Sequence, residues 1–123
     1  MRATHILKAL HGFFSRFADA WAEGCAPDDA QFPYITYPLT VPGELETVTF
    51  YARIWYRSRQ YEAVAALADA IDAAIGPGCR VPTEGGGAIW IYKGDRFMQT
   101  APVEKDPDLK CVYLSLALAA NVR

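Results

Sequence analysis

Histidine is nearly absent from this chain, and cysteine is sparse and scattered. The two histidines, His5 and His11, lie six residues apart. On a helix that spacing points them about 120° away from each other, so they do not jointly hold a metal ion. The three cysteines, Cys25, Cys79 and Cys111, form no C-x-x-C pair and have no histidine at ligand spacing, which argues against a zinc site or a redox motif. Such an odd set fits a reducing cytoplasm, with each thiol a small buried or half-buried apolar side chain. The glycine-rich run "EGGGAIW" (84–90) lacks the G-K-[S/T] of a phosphate loop and precedes a strand, so it reads as a turn that uses positive φ. Asp28-Asp29 and Asp69/Asp72 have no His, Lys or third acid in register. Ser15, Ser58 and Ser115 stand outside any nucleophile elbow. No catalytic constellation emerges, and the expectation is a protein that is not an enzyme and carries no cofactor or metal.

Charge of one sign is also lacking. Twelve Lys and Arg are scattered among fourteen acids, for a net charge of −2, which disfavours a nucleic-acid partner bound through its phosphates. No apolar run reaches membrane-spanning length. Ala20-Trp21-Ala22 resembles a signal-peptidase site, but Lys8, His11 and Arg16 interrupt any apolar segment before it, so a cytoplasmic chain with no membrane partner is expected. What the chain does have is apolar content, 52% against 21% charged over 123 residues. That suits one folded domain, 1–123.

The periodicity predicts a helix over 4–21, with Ile6, Leu7, Leu10, Phe13, Phe14, Phe17 and Trp21 on one stripe and Thr4 as its cap. Strands are expected at 32–41 and 46–56, joined by a turn centred on Pro42-Gly43. In the second of these, Val48, Phe50, Ala52, Ile54 and Tyr56 form a core face, and Thr47, Thr49, Tyr51, Arg53 and Trp55 a mixed one. A helix follows over 59–75, capped by Ser58 and stopped by "GPG" at 76–78. Its core stripe is Tyr61, Val64, Leu67, Ala68, Ile71 and Ile75. Then come strands at 88–92, near 96–101 and 111–119, with a turn at "KGD" and a polar loop "PVEKDPD". The order α-β-β-α-β-β-β predicts an α+β fold, a mainly antiparallel sheet with two helices packed on one face.

Two surfaces are left over once the core is assigned. Tyr51, Arg53 and Trp55 share the non-core face of their strand, a composition found at interface anchors. Ala63, Ala66, Ala70 and Ala73 share the back of the second helix, where helix propensity alone accounts for them or another chain approaches closely. The stretch "QFPYITYPLT" (31–40) places Phe32, Tyr34 and Tyr37 beside Pro33 and Pro38. Proline lacks the N–H of a sheet ladder, so this reads as an edge strand or a strand entry, rich in contact side chains.

"WAEGCAPDDAQFPYITYPL" followed by "VTFYARIWYRS" resembles the opening of the small tail terminator (minor capsid) proteins of long-tailed bacteriophages and prophages. The turn from Pro27 to Tyr37 is the most specific part. "GGGAIWIYKGDRFMQ" (85–99), with Trp90, is similar to the same group, and the resemblance spans about residues 20–119. Cys25 departs from it, standing where a plain small apolar residue is expected. The resemblance implies a structural protein without catalytic residues, built as a small α+β domain. It implies a ring, usually a hexamer, that caps the tail tube, stops its growth and prepares head–tail joining. Its partners would be further copies of itself, the major tail tube protein and head–tail connector proteins. It would act in the host bacterial cytoplasm during assembly and then in the virion. A ring protomer needs two different contact faces, which the Tyr51/Arg53/Trp55 face and the alanine face could supply. Trp55→Ala would then weaken ring contacts by on the order of 2 kcal/mol and leave folding nearly unchanged. Another neck or head-closure protein is the alternative. A ligand-binding domain or enzyme would need a polar pocket, for which only Glu84, Lys93, Asp95 and Arg96 stand near one another in sequence.

Overall fold

The structure, a computed structural model, describes residues 1–58, 61–101 and 108–122. The first two residues of the expected second helix, 59–60, and all but the last residue of the polar loop "PVEKDPD" lie outside the described residues. Helix α1 spans Arg2–Ser15 and buries Ile6, Ala9, Leu10, Phe13 and Phe14, most of the stripe expected for it. It begins after Met1, so Thr4 lies inside the helix and is not its cap. It also stops six residues short of the expected end. The Arg16 and Phe17 amides bond back to the carbonyls of Phe13 and Phe14, tightening the last turn. The chain then leaves as strand β1, Asp19–Ala22. Trp21, in phase with the helical stripe, therefore belongs to a strand.

Strand β2 is Tyr34–Tyr37 and β3 is Thr47–Arg57. The turn before β3 centres on Glu44-Leu45, not on Pro42-Gly43. The Glu46 amide donates to the Gly43 carbonyl, and the Gly43 amide donates to the Glu46 carboxylate. Leu45 takes a positive φ there. Helix α2 runs Glu62–Ile75, with Tyr61 at its N-cap and no side-chain cap bond, so Ser58 does not cap it. Gly76, at positive φ, ends it as expected. Strand β4 (Cys79–Pro82), unexpected from sequence, precedes β5 (Ala88–Ala101) and β6 (Leu109–Asn121). The "KGD" segment is an irregularity inside β5, not a turn between two strands. Between the Lys93–Leu116 and Met98–Leu114 pairs, β5 advances five residues while β6 advances two.

The described residues thus form an α+β fold of eight elements, not seven. One six-stranded sheet has the order β1-β2-β3-β6-β5-β4. It is mixed: β1 pairs with β2 in parallel and the other pairs are antiparallel. For residues 31–40 the parallel pair rules out the edge strand and leaves the strand entry. β2 is flanked by β1 and β3, and Pro33 and Pro38 lie just outside its ends, where their missing N–H groups cost the ladder nothing.

Both helices pack on one face. Ile6, Leu10, Phe13 and Phe14 of α1 and Val64, Ala68, Ile71 and Ile75 of α2 meet Ile35, Phe50, Ala52, Ile54, Ile89, Ile91, Leu114, Leu116 and Leu118 in one core. The period-2 pattern of β3 and β6 puts those strand residues on a single side. At the sheet's end, Gly87 has a positive φ, and a side chain there would run into the Asn121 backbone carbonyl. Gly87→Ala combines a strained backbone with that clash and should lower stability by about 2 kcal/mol in urea denaturation. A change below about 0.5 kcal/mol, the scale of ordinary surface substitutions, would contradict this packing.

Candidate functional site

The second face of the sheet carries neither helix. Cross-strand register assembles its side chains into rows. One row runs Trp21, Thr36, Arg53, Tyr113 and Gln99, and the next runs Asp19, Tyr34, Trp55, Cys111 and Ala101. Tyr51 opposes Ser115 on the same face, and farther along Arg80, Trp90 and Ala119 align. The result is a surface of aromatic and polar side chains drawn from all six strands.

Its members hold one another. The Tyr34 ring stacks on Trp55 at 6.3 Å and 20°. The Trp55 indole N–H donates to the Thr36 hydroxyl at 2.9 Å. Phe32 lies 5.3 Å from Tyr34, and the Arg57 guanidinium lies 5.3 Å from the Phe32 centroid. Tyr51 and Tyr113 are 5.6 Å apart. Arg53 extends over the Tyr113 ring, 4.9 Å from its centroid, a cation–π distance. Its Nη1 is 3.6 Å from the Glu23 carboxylate, and its Nε is buried without a hydrogen-bond partner among the described residues. Around Arg53 the surface dips into a hollow of about 560 Å³, walled in part by Glu23, Thr49, Tyr51, Gln99 and Tyr113.

Tyr51, Arg53 and Trp55 do share one exposed face, but they differ in availability. Tyr51 is 54% exposed. Arg53 and Trp55 are half-buried among this chain's own side chains. The expectation that Trp55→Ala leaves folding nearly unchanged is therefore revised. Ala63, Ala66, Ala70 and Ala73 are all exposed on α2, on the opposite side of the sheet from Tyr51. The structure keeps the two candidate surfaces apart. Glu84, Lys93, Asp95 and Arg96 do not converge into a pocket: Glu84 pairs with Lys8 and Lys93 with Asp72.

The thiols are free. Cys25 is exposed, contrary to expectation, because it sits in the turn after β1. Cys111 is buried in the row of Trp55, and burial pushes its thiol up to about 11 from the usual 9.0, against the opposing pull of Arg53. Burial also raises the hydroxyls of Tyr34 and Tyr37. Across the sheet, His11 Nδ1 and the Tyr37 hydroxyl share a 2.7 Å hydrogen bond, so His11 is engaged locally, and no cluster suited to a metal ion occurs among the described residues. No helix among the described residues is long and apolar enough to cross a membrane.

No protein-family model matches the chain, and no curated protein matches it.

Two outcomes follow. Trp55→Ala removes the Tyr34 stack and the Thr36 bond and should destabilise the fold by about 2 kcal/mol or more, with Trp55→Phe losing about 1 kcal/mol. Equal melting curves for all three proteins would mean that Trp55 is a free surface side chain. The second concerns pH. A group with a raised folded pKa supports the fold below its unfolded value and loses that support as pH rises through the folded one. Cys111 should therefore make stability fall between pH 9.0 and about 11. Cys111→Ala should flatten that fall in denaturation series, and an unchanged slope would contradict burial of the thiol.

Proposed function

We propose that this chain is a structural morphogenesis protein of a long-tailed phage or prophage: a tail terminator that caps the tail tube as a ring, with a hexamer the expected form. The observation that carries the reading is the helix-free, aromatic face of the sheet. A face of this kind, drawn from every strand and centred on the exposed Tyr51, suits contact with another protein surface. The resemblance adds to it, because its most specific stretch, Pro27 to Tyr37, runs into β2 and supplies Tyr34 beside Trp55. The exposed alanine side of α2, on the other side of the sheet, offers the second, different face that a closed heterologous ring requires. Further copies of the chain, the major tail tube protein and head–tail connector proteins are the partners this role implies. The role places the chain in the bacterial cytoplasm during assembly and then in the virion.

A second reading, a small ligand-binding domain, is favoured by one observation, the hollow around Arg53.

The test is tail length. Electron micrographs of tails assembled without the protein should show overlong tubes, and adding it back should restore uniform length with a ring at the tube end. Tyr51→Ala should leave stability within about 1 kcal/mol, because Tyr51 contributes one cross-strand pair. It should nevertheless impair length control, with a contact loss on the order of 2 kcal/mol. Identical tails with and without the protein would remove the terminator role.

A further inference from the structure

The hollow around Arg53 has the elements of a binding site for a small anion. Its volume, about 560 Å³, lies within the range of small-molecule sites. It also far exceeds the room one protein carboxylate needs, which favours a free molecule over an inserted side chain. The charge that lines it is held in place. Arg53 rests on the Tyr113 ring at 4.9 Å, and stacking of this kind leaves the edge of a guanidinium, where its N–H donors point, open to in-plane partners. Those donors are poorly used within the chain. Nε has no hydrogen-bond partner among the described residues, but it is buried, so what a ligand can meet is the remainder of the guanidinium, on a side chain that is 33% exposed. Among the described residues Nη1 meets Glu23 at 3.6 Å, beyond hydrogen-bond length.

Glu23 helps to define the ligand. It is itself a carboxylate drawn to Arg53, yet its side chain remains 50% exposed. A ligand carboxylate can take the edge that Glu23 approaches but does not bond. A single arginine facing one acid of the same chain disfavours a dianion such as phosphate, because each added negative charge meets Glu23. The hollow's side wall includes Tyr51, 5.6 Å from Tyr113 and exposed. It also includes Thr49 and Gln99, which can bond a polar substituent.

We propose that this hollow binds a small aromatic monocarboxylate, with Arg53 pairing its carboxylate and Tyr51 flanking its ring. The site does not depend on the tail-terminator reading. Whether the chain caps tails or not, the hollow and its arginine are features of the sheet.

The experiment is an NMR titration of the full chain with 4-hydroxyphenylacetate, and with the neutral 4-hydroxyphenylacetamide as its uncharged counterpart. The acid should give saturable shifts at Arg53, Tyr51 and Tyr113, and the amide should bind about tenfold more weakly or not at all, the scale of a lost charge-assisted hydrogen bond. Arg53→Gln should weaken the acid by about tenfold or more and leave the amide unchanged. Glu23→Gln should tighten the acid several-fold, because it removes a competitor and a like charge. Absence of saturable shifts into the tens of millimolar, equal binding of acid and amide, or unaltered affinity in Arg53→Gln would overturn the proposal. If Arg53→Gln does not fold, Glu23→Gln decides alone: acid binding no tighter than wild type would overturn it.

Discussion

The pairing of β6 between β3 and β5 is the constraint on which the rest of the structure depends. β6 keeps register with β3 from Thr47–Ala119 to Arg57–Leu109, and it holds β5 on its other side. β3 and β6 are separated in sequence by α2, β4 and β5, so this contact is made across most of the chain. Once it forms, the alternation of β6 is fixed. Val112, Leu114, Leu116 and Leu118 must face the helices, and Cys111, Tyr113, Ser115 and Ala117 must face away. A one-residue slip would exchange the two sets and bury Tyr113 under α1 and α2. The same lock places Arg53 beside Tyr113 and Trp55 beside Cys111. The core and the open face are thus two consequences of one register.

This division of labour explains why the two faces behave differently. The helix-covered side is filled by aliphatic residues and the Phe13–Phe14–Phe50 group, with rings 5.3 and 6.5 Å apart. Close packing there leaves little freedom. The open side is held by stacking, one indole hydrogen bond and a cation–π contact, and it keeps a hollow. Polar and aromatic groups in such a setting still have unused bonding capacity. That residual capacity is what the two proposals draw on, a protein partner across the width of the face and a small anion at its centre.

Much of the fold was legible in the sequence, and particular residues show where legibility ended. The stripes of α1 and α2 and the alternation of β3 and β6 are long enough for their periods to stand out. β1 and β4 have four residues each, too few to display a period. Trp21 reads as helix because it falls in phase with Phe13 and Phe17, and β2 reads as an edge because of Pro33 and Pro38, which lie just outside its ends. The "KGD" segment carries ordinary turn residues, yet Gly94 lets β5 pass against Ser115, where any side chain would collide. Only the neighbouring strand reveals that. At the candidate site, Tyr51, Arg53 and Trp55 were visible as one face of one strand. Tyr34, Tyr113 and Gln99 were not visible as their neighbours, because register between distant strands is not written in local pattern. Glu23 lies beyond β1, so its approach to Arg53 depended on a strand that the periodicity had hidden.

The central proposal is that the helix-free face is the surface through which this protein meets a phage tail. Hydroxyl-radical footprinting of the free chain and of the chain on finished tails tests it most directly. Tyr51 and Tyr92 both reach solvent, at 54% and 36%, and both lie on this face by register. The account requires their oxidation to fall sharply on the tail. Equal oxidation of both tyrosines in the two states would contradict it.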